Sequence, residues 1–333
     1  MDKFKSKKQK NQAFLDIFEN VNTTIKTLER VENCGIFLEF LANKTMEKKK
    51  LNGANFCENR FCPMCAWRLA MSDTLKLSIL MQYLKEEKNQ EFIFLTLTTP
   101  NVTGENLNSE IKKFNKAFNN LTKRANFIKY INGYVRKLEV TYSKEKYITK
   151  DMYLKREQYY IDRNLEIDDL NPTYNTYNPH FHVILSVNKS YFKKKRITKS
   201  DWLTMWKEVT KDNNITQVHV QKAKGDGAKQ VYEVAKYSAK DSDYMISEEV
   251  FKTFYKALKG KQLIVFGGNF KESVKLYNNG ELDKYKETDM TEYVYMLAYK
   301  WQNNDYQEHI KRELTEEEKN KFNYKYKKES EIE

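Results

Sequence analysis

The sequence predicts an α+β fold: a mainly antiparallel central sheet with helices on one face, plus helical N- and C-terminal regions. Two observations carry this. Up to about residue 90, and again after Tyr244, the chain reads as helical, whereas from residue 91 apolar residues alternate with a period of two. Helical patterns are mixed among those alternating runs, an order that suits helices covering one face of a sheet.

The elements follow in order. Leu69, Leu75, Leu77, Leu80 and Met81 stand at helical spacing and predict a helix over Trp67–Tyr83. Glu91–Thr99 reads as a central strand, stopped by Pro100 and Asn101. A helix over 106–124 leads to a strand over Tyr134–Tyr142, and His180–Val187 is the third strand. A helix at Trp202–Val209, a strand at Ile215–Val220 and a helix from Lys229 to Asp241 complete the zone. The polar stretch Ser143–Tyr177 reads as an elaborated hairpin connection on the surface. The resulting organisation is an N-terminal region over 1–90 with a cysteine cluster, a central domain over 91–245, and a C-terminal extension over 246–333 that ends in a charged tail.

Composition bounds the function. With 32% charged and 40% hydrophobic residues, the chain is that of a soluble globular protein, and 14% aromatics argue against general disorder. No apolar stretch is long enough to span a bilayer, and no apolar signal core follows the N-terminus, so a cytoplasmic location and no membrane partner are expected. A net charge of +13 favours a polyanionic partner, although a Lys- and Asn-rich composition also reflects an AT-rich genome. Interleaved aromatics add surfaces on which unpaired bases can stack.

The segment Asn178–Val183 is the most informative. Residues two apart on a strand share a face, so His180 and His182 point one way while Phe181, Val183, Leu185 and Val187 point toward the helices. Two imidazoles on a polar strand face are a natural pair of metal ligands; the other reading is two solvent-facing histidines. The whole chain has four histidines, which makes the pairing harder to dismiss. On the strand before it, Val135, Lys137, Glu139 and Thr141 form one face, and Glu139 is the carboxylate able to stand beside the histidines. Two imidazoles and one carboxylate leave positions open for phosphate oxygens and suit Mg²⁺ or Mn²⁺.

A second segment is the helix around Gln230–Lys240. Val231, Val234, Ala235 and Ser238 form its buried stripe, and Glu233 and Tyr237 share an adjoining face one turn apart. Lys240 adds positive charge near Tyr237. A tyrosine on a helix beside a metal is a candidate covalent nucleophile, with Tyr244 on nearly the same face as runner-up and Tyr232 rotated away. The phenol titrates near 10 in its reference state, so the metal must lower the barrier by polarising the phosphate.

Cys57, Cys62 and Cys65 form a C-x₄-C-x₂-C array, and Cys34 is the remaining cysteine. Thiolates at this spacing around Pro63 are typical of half a structural zinc site, which Cys34 would close; the alternative is a group of reduced cytosolic thiols. Arg60 and Arg68, with Trp67, lie beside the array and are candidate DNA contacts that equally well pack or solvate.

Taken together, Phe94–Val102, Leu138–Tyr142, Tyr177–Val183 and Glu233–Asp241 resemble the rolling-circle replication initiators of small plasmids, within the His-hydrophobic-His (HUH) endonuclease superfamily. The resemblance covers most of the chain and extends to Lys259–Gln262 and Gly268–Lys271. It implies an HUH-type fold and an enzyme that nicks and rejoins single-stranded DNA at a plasmid origin, leaving a 5′-phosphotyrosine and a free 3′-OH. His180 and His182 match the metal motif, Tyr237 the nucleophile, and Glu233 an acidic residue that assists strand release at termination. The implied partners are origin DNA, single-stranded at the nick and duplex for recognition, a host helicase and polymerase, and a second copy of the chain. The Ser143–Tyr177 insertion departs from the shorter connection of that family. Two rivals stand: an HUH transposase or relaxase, and a non-catalytic, zinc-stabilised DNA-binding regulator.

Overall fold

The computed structural model describes residues 1–21, 23–193, 196–223, 231 and 241–323. The main elements in chain order begin with α1 (Asp2–Phe18), α2 (Ile25–Glu32), β1 (Phe37–Asn43), β2 (Lys49–Ala54), α3 (Pro63–Glu86) and β3 (Gln90–Thr98). Next come α4 (Gly104–Leu121), β4 (Ile131–Ser143), β5 (Thr176–Asn188), α5 (Lys199–Thr210), β6 (His219–Lys222) and α6 (Glu248–Leu258). The chain closes with β7 (Ile264–Gly268), α7 (Asn269–Asn278), β8 (Tyr293–Gln302), β9 (Asp305–Glu313) and α8 (Glu316–Phe322). The fold is α+β, as the sequence predicts, with two mainly antiparallel sheets where one was expected. Contacts divide the described residues into two compact units, one drawn from 1–91 and 266–323, the other from 92–222 and 241–265.

The second unit carries the expected sheet, in the order β6-β3-β5-β4-β7. Its helices sit where the strand parity requires. In α4, Leu107, Ile111, Phe114, Phe118 and Leu121 recur at helical spacing and are all buried. Phe114 stacks on Phe181 of β5 with ring centroids 4.3 Å apart, so the odd-numbered residues of β5 face the helices. A capping box between Thr198 and Asp201 starts α5. That helix buries Trp202 and Trp206 completely, and the Trp206 indole donates to the Thr98 carbonyl at 2.9 Å.

Pro179 lies in β5, a central strand where a residue without an N–H is out of place. The side chain of Asn178 makes up the bonding at this point. Its amide donates to the Thr99 carbonyl at 2.8 Å and to Asn101 Oδ1 at 3.1 Å, tying the end of β3 to β5.

Two sequence expectations are corrected here. The regions read as helical also contain a four-stranded sheet, β2-β1-β8-β9, in the first unit. Its outer strands hide from a periodicity argument: β9 buries one side chain, Tyr306, and β2 one, Leu51, so neither alternates. The β8–β9 hairpin nevertheless has a local signature, Asn303–Asn304, both at positive φ (50° and 61°) as a type I′ turn demands. The strand expected at Ile215–Val220 begins only at His219, because Ile215 and Val218 are buried ahead of the ladder. The segment over 144–175 is a surface connection with two short helices, Lys150–Lys155 and Glu157–Ile161, closed by a Tyr147–Leu170 bridge.

Candidate functional site

The pairing of β4 with β5 sets the site. Glu139 is the register partner of His180, and Lys137 that of His182, so all four side chains leave the sheet on the face away from α4. Glu139 Oε2 lies 2.8 Å from His182 Nε2 and 3.3 Å from His180 Nε2. The three donor atoms lie within 4.8 Å of one another.

Each ring is held in place by a neighbour. His180 Nδ1 sits 3.2 Å from the Asn178 carbonyl, where only an N–H can donate, so Nε2 is the nitrogen left to accept a cation. The His182 ring stacks on Phe94 of β3 with centroids 5.7 Å apart and planes 16° from parallel. Glu139 is 2% and His182 7% exposed. Burying a carboxylate this deeply demands compensating positive charge; Lys137, itself 4% exposed, stands on the same face one step along β4.

The face continues across the sheet. Phe94 touches His182, and Thr98 Oγ1 donates to Asn178 Oδ1 at 3.1 Å, which places Thr96 level with His180. Thr96 is in turn the register partner of His219 on β6, and Phe94 that of Gln221. One transverse row therefore reads His219, Thr96, His180, Glu139, and the next reads Gln221, Phe94, His182, Lys137. Burial falls along both rows, from deep at β4 and β5 to exposed at His219 and Gln221. Sequence reasoning placed Lys137 on the right face but missed Thr96 and His219. The signal that finds them is the strand register, which no local pattern carries.

The other expected residues divide into three groups. Tyr237, Glu233 and Lys240 lie outside the described residues. Tyr244, the runner-up nucleophile, is 2% exposed and packs against Phe251 and Phe254, an environment for a structural ring. In the first unit the structure brings Cys34, Cys57, Cys62 and Cys65 together, all buried, with Sγ atoms within 4.8 Å of one another. Hydrogen bonds with Cys34, Cys57 and Cys65 pull the Cys62 thiol strongly down, while those with Cys57, Cys62 and Cys65 push Cys34 up. Arg60 and Arg68 are half-buried, each pulled down by burial, and the Arg68 guanidinium covers the Phe56 ring at 3.8 Å. Among the described residues no helix is long and apolar enough to cross a membrane.

Comparison with known proteins identifies the family. Residues 48–307 match the family model described as replication protein. A "Protein rep" from Staphylococcus aureus is 47% identical over 250 residues, covering 74% of this chain and 96% of that protein. A "Protein rep" from Streptococcus pneumoniae serotype 2 (strain D39 / NCTC 7466) is 31% identical, covering 77% of this chain and 74% of its own. One from Bacillus amyloliquefaciens is also 31% identical, with 79% and 78% covered. No solved structure matches the chain.

Proposed function

The chain belongs to the replication protein family, and from that premise we propose that it initiates rolling-circle replication of a plasmid by nicking one origin strand with Tyr237. The observation that carries this reading is the Glu139, His180 and His182 cluster on the face of the sheet away from α4. Two donor atoms each about 2.1 Å from a hard cation and at right angles are about 3.0 Å apart; the 2.8 and 3.3 Å contacts bracket that spacing. Imidazole and carboxylate donors suit Mn²⁺ or Mg²⁺, with Glu139, His180 and His182 as the holding residues. When bound there, the ion supplies Lewis acidity toward a phosphate oxygen.

The chain's own groups do the rest. The Tyr237 phenol oxygen bonds to phosphorus as the P–O3′ bond breaks; the phenolic proton leaves and the 3′ oxygen takes one up, with no net proton consumed. The 5′ end stays on the tyrosine and the 3′-OH is free to prime synthesis. Glu233, four residues before Tyr237 in the sequence, takes a proton from the water that releases the last strand, ending the round with hydrolysis. Thr96, Gln221 and His219 give the displaced strand a polar path away from the buried cluster. The surplus of positive charge, +13 over the chain, favours the phosphate backbone throughout.

The test is a covalent adduct. Incubated with Mn²⁺ and a single-stranded oligonucleotide bearing the nick sequence, the protein should form a species that survives denaturation and maps to Tyr237. Tyr237→Phe should bind the oligonucleotide with unchanged affinity and form none. An adduct on another tyrosine, or cleavage without any adduct, would refute the mechanism.

A further inference from the structure

The first unit holds a cluster of a different chemistry. Cys34 follows α2, Cys57 follows β2, Cys62 caps α3, and Cys65 lies in the first turn of α3. Cys34 and Cys57 each lie 3.5 Å from Cys65, sulphur to sulphur, and Cys62 lies 3.6 Å from Cys34. A disulfide requires about 2.05 Å. Four sulphurs each about 2.3 Å from a central ion stand roughly 3.8 Å apart. The observed spacing belongs to the second arrangement.

The surroundings are those of anionic sulphur. Asn11 of α1 donates its amide to Cys62 Sγ at 3.3 Å, and the Cys57 backbone N–H lies 3.4 Å from Cys34 Sγ. The N-terminus of α3, with Pro63 at its first position, adds its partial positive charge. Lys8 of α1 is the decisive residue. It is 1% exposed, and its ammonium donates to Asn11 Oδ1 at 3.0 Å and to the Glu32 and Cys34 carbonyls at 2.9 and 2.8 Å. All three acceptors are neutral, so these hydrogen bonds do not themselves neutralise a buried charge; among the acidic groups around it, the cysteine sulphurs stand ahead of the Glu32 carboxylate as its counter-charge. A divalent ion held by four thiolates carries a net charge of −2 and supplies it.

We propose that Cys34, Cys57, Cys62 and Cys65 hold one Zn²⁺ as a tetrathiolate, and that Lys8, oriented by Asn11, is the buried counter-cation of that centre. Metal and α1 then form one structural unit: the ion gives Lys8 a reason to be buried, and Lys8 and Asn11 hold α1 over the ion. A closed set of four sulphurs leaves no open position, so the centre is structural. This inference stands whether or not the protein nicks DNA, because metal content and α1 protection report on it without any DNA.

The full-length protein is purified without added metal and its zinc counted beside that of His180→Ala/His182→Ala. One equivalent is expected in both. Replacement by Co²⁺ should give the sulphur-to-metal charge-transfer bands and intense visible bands of four-sulphur tetrahedral coordination. Stripping the zinc should raise amide exchange over Asp2–Phe18. Lys8→Met should still bind one equivalent but lose it to a chelator at about tenfold lower competitor concentration or less, the scale of an outer-sphere partner. Zinc-free wild-type protein with four titratable thiols, or iron in its place, would overturn the metal assignment. An α1 equally protected after stripping, or a Lys8→Met variant that holds zinc as tightly as wild type, would overturn the role given to Lys8.

Discussion

Glu139 and His180 are directly opposed across β4 and β5, and the same Glu139 oxygen reaches diagonally to His182 at the shorter distance, 2.8 against 3.3 Å. One carboxylate oxygen thus faces both imidazoles. Glu139→Gln preserves that shape but removes the charge. The Mn²⁺ concentration for half-maximal oligonucleotide cleavage should rise by about tenfold or more, as when a residue that tunes a metal site is lost. An unchanged midpoint would take Glu139 out of the ligand set.

On the opposite face of β4, Arg136 is a buried cation with little support. It is 5% exposed, its Nη2 donates to Asn115 Oδ1 at 2.7 Å, and its Nε and Nη1 have no hydrogen-bond partner among the described residues. The Phe181 ring, 4.3 Å from the guanidinium, provides part of the compensation, and burial still pulls its pKa down to about 10. Arg136→Met fills a similar volume without the desolvation cost. Unfolding in urea should show a protein as stable as wild type or up to about 2 kcal/mol more stable. A loss greater than about 1 kcal/mol would mean that the ring contact and the Asn115 bond outweigh desolvation.

Strand parity made the grouping of Glu139, His180 and His182 legible in the sequence. His180, His182 and Glu139 could be placed on one face from spacing, because β4 and β5 are long and each buries an apolar row against the helices. The Cys34 contribution was legible as a matter of arithmetic, since one unassigned cysteine remained. Lys8 was not legible. A lysine in a lysine-rich N-terminal helix looks like a solvated residue, and its burial depends on a tertiary contact with Glu32 and Cys34. The β2-β1-β8-β9 sheet was missed for a related reason, since its edges are charged and only long-range pairing makes them strands.

Gly35 follows Cys34 with φ +68°, and a Cβ there would come within 2.4 Å of Met64 Sδ and 2.7 Å of its Cε. Its carbonyl also accepts the Tyr306 hydroxyl at 2.6 Å, joining the cysteine segment to β9. Gly35→Ala adds backbone strain and displaces Met64, which sits between Cys62 and Cys65. It should cost about 1–3 kcal/mol in chemical denaturation and speed zinc release to a chelator. A variant with wild-type stability would show that Met64 moves freely.

The start of α8 gives a pH signature. Arg312 grips Glu318 with two bonds of 2.6 and 2.7 Å, and the Thr315 backbone N–H adds one of 2.9 Å. These contacts hold the Glu318 carboxyl down to about 2, from an ordinary 4.5. A depressed carboxylate stabilises the folded state fully above its unfolded value and loses that contribution as pH falls through the folded one. Amide exchange over Glu316–Phe322 should therefore be slower in wild type than in Glu318→Gln at pH 6, and the difference should shrink between pH 4.5 and 2. A difference that persists undiminished at pH 2 would assign the effect to side-chain shape rather than charge.

His219 tests the path of the strand. It shares a transverse row with Thr96, His180 and Glu139, yet it is exposed while the far end of the row is buried. Adjacent strands lie about 4.8 Å apart, so its Cα is roughly 10 Å from that of His180. His219 is not among the residues whose donor atoms gather within 4.8 Å of one another, and its distance from His180 is close to the span of one to two nucleotides of extended single strand. On the proposed path of the strand, a residue so placed would contact DNA that already occupies the site and leave the ion untouched. His219→Ala should weaken binding of a single-stranded origin oligonucleotide by about three- to tenfold, the worth of one or two hydrogen bonds, with the Mn²⁺ midpoint for cleavage unmoved. Thr96→Val, nearer the cluster, should weaken binding similarly and also slow cleavage of oligonucleotide already bound, since it lies beside His180. If His219→Ala shifts the Mn²⁺ midpoint instead, the histidine belongs to the metal site. If it changes neither binding nor cleavage, the strand leaves the cluster in another direction, and the open end of the row at β6 is only surface.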